Sequence, residues 1–142
     1  MLAIGCDHGG FELKQEIIKY LAEKNIPYKD FGCDTPEAVD YPVIGKAVAH
    51  AVANGECEKG ILLCGTGIGI SIAANKVKGI RAALCSDCFS AEATRLHNDA
   101  NILAMGGRVV GPGLAVKIVD TFLNTPFSGE ERHRRRISMI EE

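Results

Sequence analysis

Short apolar runs alternate along the chain with longer segments in which apolar residues recur every three or four positions, the pattern of strands and amphipathic helices taking turns. Leu2 to Cys6 predicts a first strand. After Gly10, residues Leu13, Ile17, Ile18 and Leu21 share one helical face, with Glu12, Lys14, Glu16, Lys19 and Glu23 elsewhere. Pro27 to Phe31 predicts a weaker second strand. Asp40 then caps a helix with Pro42 in its first turn, with Ile44, Ala47, Val48, Ala51 and Val52 inward and a stop near Gly55. Gly60 to Cys64 is a fully apolar third strand, and a turn holding Gly65, Gly67 and Gly69 opens a helix that ends near Lys76. Ile80 to Cys85 predicts strand four, Ser90 to His97 a helix and Ile102 to Met105 strand five. Leu114 to Leu123 follows as a helix with Ala115, Ile118, Val119 and Phe122 inward. Ser128 and Glu131 form a capping-box pattern that starts a last helix.

This rhythm predicts an α/β fold with a five-stranded parallel sheet. Parallel strands need crossover helices, so all strand C-termini point to one edge, where such sheets bind ligands. The residues at those ends are Asp7 and His8, Cys64 to Gly69, Asp87, and Gly106 to Arg108.

Composition narrows the classes of function. The chain has 142 residues, suited to one domain, and its 46% hydrophobic content is enough for a core. Its 16 Lys and Arg against 18 Asp and Glu give a net charge of −2, which argues against nucleic-acid binding driven by phosphate neutralisation. An anionic partner therefore needs a local basic site. The longest uncharged stretch, Gly60 to Asn75, has 16 residues including four glycines, too short and too glycine-rich to span a membrane. No basic segment followed by an apolar one opens the chain, so its six cysteines are expected to be reduced thiols in a cytoplasm.

Cys64-Gly65-Thr66-Gly67-Ile68-Gly69-Ile70-Ser71 is the strongest local signal. Its glycines allow a sharp turn that exposes N–H groups beside a helix N-terminus, suited to an anion or a developing oxyanion. A dinucleotide fingerprint would need Gly or Ala where Ile70 stands, and Lys76 lacks the flanking residues of a phosphate-loop lysine. Cys64 lies where a helix N-terminus can turn a thiol into a base or nucleophile, although a small apolar residue finishing a strand is the simpler reading.

Cys85-Ser86-Asp87-Cys88 could be a redox pair; it lacks the second ligand pair of a structural zinc site. His8 follows a strand end and His97 closes a helix with Asn98, positions suited to a site or to local capping, whereas His50 is predicted on the solvent side of its helix. No metal-ligand spacing occurs. In the run Arg132 to Arg136, helical geometry sets Arg132 and Arg136 on one face, able to clamp a phosphate, with Arg134 and Arg135 directed elsewhere; Arg108 could add a third positive group.

Together, Gly5-Cys6-Asp7-His8-Gly9-Gly10-Phe11, the run Cys64 to Lys76, Gly79-Ile80-Arg81-Ala82, the run Arg95 to Asn101 and Gly107-Arg108-Val109-Val110-Gly111 resemble the type B ribose-5-phosphate isomerases. Their family also holds galactose- and allose-phosphate isomerases. The resemblance covers nearly the whole chain. It implies a Rossmann-like, three-layer α/β/α sandwich forming one isomerase domain over residues 1–142, with a C-terminal helix at 129–141 carrying the arginine pair.

It further implies interconversion of ribose 5-phosphate and ribulose 5-phosphate through an enediolate, without metal or organic cofactor. By this resemblance Cys64 is the base, and the backbone at Gly65, Thr66, Gly67, Ile68 and Gly69 is the anion hole. His97, assisted by Thr66, opens the sugar ring. Asp7 holds sugar hydroxyls, His8, Arg108, Arg132 and Arg136 bind phosphate, and Asn98 contacts the sugar. Some relatives carry Ser in place of Cys64 and a later Glu as base; Ile68 to Ile72 contains no carboxylate, which favours Cys64. The resemblance also implies a homodimer or a dimer of dimers with the site at the subunit interface, and no nucleic-acid or membrane partner. A hexose 6-phosphate isomerase, a non-catalytic sugar-phosphate sensor and a dithiol redox protein are the competing readings.

Overall fold

The computed structural model describes residues 1–142. The chain runs β1 (Leu2–Cys6), α1 (Phe11–Glu23), β2 (Tyr28–Asp30), α2 (Tyr41–Ala53), β3 (Lys59–Cys64), α3 (Ile68–Asn75), β4 (Ala82–Leu84), α4 (Cys88–Asn98), β5 (Ile102–Gly106), α5 (Pro112–Asn124) and α6 (Glu131–Glu141). All strand pairs are parallel, in the order β2-β1-β3-β5-β4. The expected α/β fold with a five-stranded parallel sheet is therefore present.

Because successive strand residues point to opposite faces, each central strand feeds two cores. Leu2, Ile4, Cys6, Ile61, Leu63, Leu103 and Met105 pack with residues of α1, α4 and α5. Ala3, Leu62, Cys64, Ile102 and Ala104 pack on the other face with α2 and α3. This division makes the three-layer sandwich and explains why β1, β3 and β5 are almost uniformly apolar. The edge strands β2 and β4 are shorter than their sequence patterns because each is paired on one side only.

Three expectations require correction. Lys14 is fully buried rather than on the polar face of α1, because its position three residues before Ile17 and seven before Leu21 puts it inside the apolar stripe. Asp30 meets its ammonium at 2.8 Å and the Cys33 carbonyl accepts from it at 2.7 Å. Ala47 is exposed and Ala49 takes the inward place in α2. The last helix begins at Glu131, later than residue 129, and no capping box forms: Glu130 is the N-cap without a side-chain bond, and Ser128 Oγ accepts only from the Glu130 N–H at 3.3 Å.

β1 and β3 are neighbours, but the chain leaves β1 for β2 on one side and returns to β3 on the other. Their C-terminal ends, carrying Asp7 and Cys64, flank the crevice that such a reversal opens. No helix is long and apolar enough to cross a membrane.

Candidate active site

Three loops meet at the β1–β3 crevice. Their contact depends on glycine at two places. Gly67 begins α3 with φ +81°, and a Cβ there would lie 2.7 Å from the Met105 carbonyl carbon, so β5 can approach only because this position has no side chain. A Cβ on Gly9 would lie 2.8 Å from the Gly65 N, so the β1 loop rests directly on the β3 turn. The β5 loop is laced to the same turn: Gly107 N–H donates to the Cys64 carbonyl at 2.8 Å and Arg108 N–H to the Gly65 carbonyl at 3.0 Å.

This close packing assembles Asp7, His8, Cys64, Gly65, Thr66, Gly67, Ile68, Gly69 and Arg108. Cys64 is buried, and its sulfur accepts the Gly67 N–H at 3.0 Å. Buried Asp7 accepts the Gly9 N–H through Oδ1 at 2.8 Å, leaving Oδ2 without a protein partner. His8 is exposed in the following turn. The Arg108 guanidinium lies over Gly65, with Nη1 3.5 Å from the place of a Cβ.

Not every expected donor in the glycine turn is free. Gly67 N–H is taken by the Cys64 sulfur and Ile68 N–H by Thr66 Oγ1 at 3.1 Å. Gly65 and Thr66 N–H groups meet no protein acceptor, and Gly69 N–H lies in the unpaired first turn of α3. Of the expected donors, Gly65, Thr66 and Gly69 therefore keep theirs free. Tyr41, which the sequence does not single out, packs against this turn, since its ring occupies the space a Cβ on Gly69 would need, at 2.6 Å. Nothing in the pattern around Tyr41 distinguishes it from an ordinary first-turn residue.

His97, Asn98, Arg132 and Arg136 are not in this cluster. Helix α4 runs back from the C-terminal end of β4, so its last residues, His97 and Asn98, lie near the start of β5 at the opposite edge of the sheet. Arg81, just before β4, holds the Asn98 carbonyl at 2.8 Å, and the five-residue strand β5 runs from that edge to end at Gly106. A strand of that length spans roughly 17 Å. Helix α6 packs beside α4 there. His133 stacks on His97 with ring centroids 4.5 Å apart, while Arg81 pairs with Glu141 at 2.9 Å. Arg132 and Arg136 are exposed on α6.

His133 itself is buried. Its Nε2 is 3.1 Å from a Glu130 carboxylate oxygen but lacks hydrogen-bonding geometry. Burial, then His97 and Arg132, hold its pKa below the ordinary imidazole value.

The largest groove, about 840 Å³, runs beside β4 between these two edges and includes His97, Asn98, Leu84, Phe89 and Ile140. It does not contain Cys64. Phe89 is 82% exposed and Ile140 62% exposed, so the groove has an uncovered apolar margin.

The strand-end crevice thus defines an α/β protein with a turn of free N–H donors, an overhanging arginine and a buried thiol at one point. The family model for ribose/galactose isomerase matches residues 2–140, and the chain belongs to that family. It is 52% identical over 139 residues to ribose-5-phosphate isomerase B of Escherichia coli, covering 98% of this chain and 93% of the relative. It is 42% identical over 142 residues to galactose-6-phosphate isomerase subunit LacB of Clostridium acetobutylicum, covering 100% of this chain and 82% of the relative. A solved structure of Clostridium thermocellum ribose-5-phosphate isomerase B superposes with a TM-score of 0.96 at 54% identity, covering 99% of this chain and 94% of that one. The protein is an isomerase of sugar phosphates.

Proposed function

We propose that the protein interconverts D-ribose 5-phosphate and D-ribulose 5-phosphate through an enediolate, as part of the non-oxidative pentose phosphate pathway. The observation that carries this reading is the convergence of the Cys64 thiol, the free N–H groups of Gly65, Thr66 and Gly69, and Arg108 at one crevice. Aldose–ketose isomerisation moves a proton between C2 and C1 while negative charge gathers on the sugar oxygens. Cys64 removes the C2 proton and returns it to C1. The free N–H groups take up the oxyanion, a contribution of about 3–4 kcal/mol for each such donor in other enzymes. Gly67 N–H steadies the sulfur, Asp7 Oδ2 receives sugar hydroxyls, and Arg108 with His8 meets the phosphate.

The remaining parts come from a second copy. His97 opens the furanose ring, assisted by Thr66, while Asn98 contacts the sugar and Arg132 and Arg136 complete the phosphate site. Within one chain these groups lie at the edge opposite Cys64. In a dimer whose two-fold axis lies across the strands the partner runs in the reverse direction, and its His97 edge is brought to this chain's Cys64 edge. The apolar margin beside β4, with Ile68 and Ile72 exposed on neighbouring α3, supports that face as the one covered.

The higher identity to a named ribose-5-phosphate isomerase than to a named galactose-6-phosphate isomerase subunit favours the pentose. The direct test is conversion of ribose 5-phosphate by purified protein with a metal chelator present, beside allose 6-phosphate and galactose 6-phosphate. The expected result is highest kcat/KM on the pentose, undiminished by chelator. Turnover of a hexose phosphate alone would reassign the substrate, and binding without turnover would make the protein a sensor.

A further inference from the structure

Cys6 ends β1, and Cys33 lies just beyond β2 in the segment leading to α2. The Cys33 N–H donates to the Cys6 carbonyl at 2.8 Å and the Cys6 N–H to the Gly32 carbonyl at 2.6 Å, so the backbones are held side by side. Their sulfurs face each other at 3.7 Å, the one sulfur–sulfur hydrogen bond in the chain, and both thiols are free. Cys85 and Cys88, despite their spacing in sequence, make no such contact. Cys33 Sγ also donates to the Thr35 carbonyl at 3.1 Å, and Lys14 fixes the Cys33 carbonyl from beneath. The pair packs with the α1 side of the sheet, whereas Cys64 packs with the α2–α3 side.

We propose that Cys6 and Cys33 form a reversible oxidation site that closes to a disulfide when the protein meets hydrogen peroxide. Cys33 is the more open residue of the two, 7% exposed against none for Cys6, and reacts first. Its sulfur attacks the peroxide, the O–O bond breaks, one water leaves and a sulfenic acid remains. The Cys6 sulfur then attacks the Cys33 sulfur; the S–S bond forms, the S–O bond breaks and a second water leaves. Two thiols lose two electrons and two protons, and the peroxide is reduced to two waters. Burial pushes the Cys6 thiol up to about 12, which disfavours it as the group that meets the peroxide. Closure needs the sulfurs to move from 3.7 Å to a bond length of about 2.05 Å, within reach of side-chain rotation and a small shift of the Cys33 segment.

A cross-link between residues 27 apart in sequence restricts the unfolded chain. It should raise the thermal midpoint by roughly 5–10 °C. The full-length protein is treated with hydrogen peroxide, its remaining thiols are alkylated, and its peptides are mapped by mass spectrometry beside thermal melts, with Cys33→Ala and Cys33→Ser treated in parallel. The expected result is a Cys6–Cys33 peptide and a raised midpoint, both reversed by dithiothreitol and absent from whichever Cys33 variant folds. Oxidation confined to Cys64 or to a Cys85–Cys88 cross-link would overturn the proposal. So would a raised midpoint that persists without Cys33.

Discussion

Cys64 sits where three separate constraints meet: the end of a buried strand, the unpaired N-terminus of α3 and a hydrogen bond from Gly67. Cys64→Ala should lower kcat by about 10²–10⁴-fold with an unchanged melting profile; near-normal turnover would remove Cys64 as the base. Arg108→Ala should act chiefly on KM, since in the proposed site its guanidinium meets a phosphate that does not change during the reaction. An effect confined to kcat would contradict that role.

The sequence exposed Cys64, Asp7 and Arg108 through their places at strand ends, but not the division of labour inside the turn. Which N–H groups remain free depends on the rotamers of Cys64 and Thr66, and these follow from packing rather than spacing. Tyr41 was illegible for the same reason.

At the scale of elements, α1 and β2 are joined through an ion pair that periodicity hid. Asp30→Asn would leave the buried Lys14 ammonium mainly on one carbonyl, and because Asp30 is partly exposed the loss should be about 1–3 kcal/mol in a denaturant titration. A change below about 0.5 kcal/mol would show that solvent replaces the carboxylate. Strands β1, β3 and β5 were legible as apolar runs because both sheet faces are covered. Lys14 is hidden from such a reading because its charge masks its place in the helical phase of Ile17 and Leu21.

The α4–α6 contact gives a pH dependence of known sign. His133 is held below the ordinary value of 6.5, chiefly by burial and then by His97 and Arg132. Unfolding restores that value, so as pH falls below it the unfolded chain binds a proton that the folded chain refuses, and stability declines until the folded value is passed. Melts between pH 7.5 and about 5 should show this decline, and His133→Gln should flatten it; an equal slope in the variant would place the titration elsewhere.

At the scale of the molecule, the sheet itself separates the proposed catalytic groups. Sequence order placed His97 after strand four and Cys64 after strand three, yet the return direction of α4 puts them at opposite edges. The motifs therefore mark chemically related residues without showing that one chain cannot bring them together. Groups proposed to act across an interface are hard to read from sequence for this reason: a single chain presents them as unrelated exposed residues, as with His97 and Arg132.

The most direct measurement of the two-copy site mixes two inactive variants, Cys64→Ala and His97→Ala, under conditions that exchange subunits. If each site takes Cys64 from one copy and His97 from the other, a mixed dimer regains one intact site, and an equal mixture should recover about a quarter of wild-type ribose 5-phosphate turnover. Two variants inactive alone and equally inactive after proven exchange would contradict the shared site.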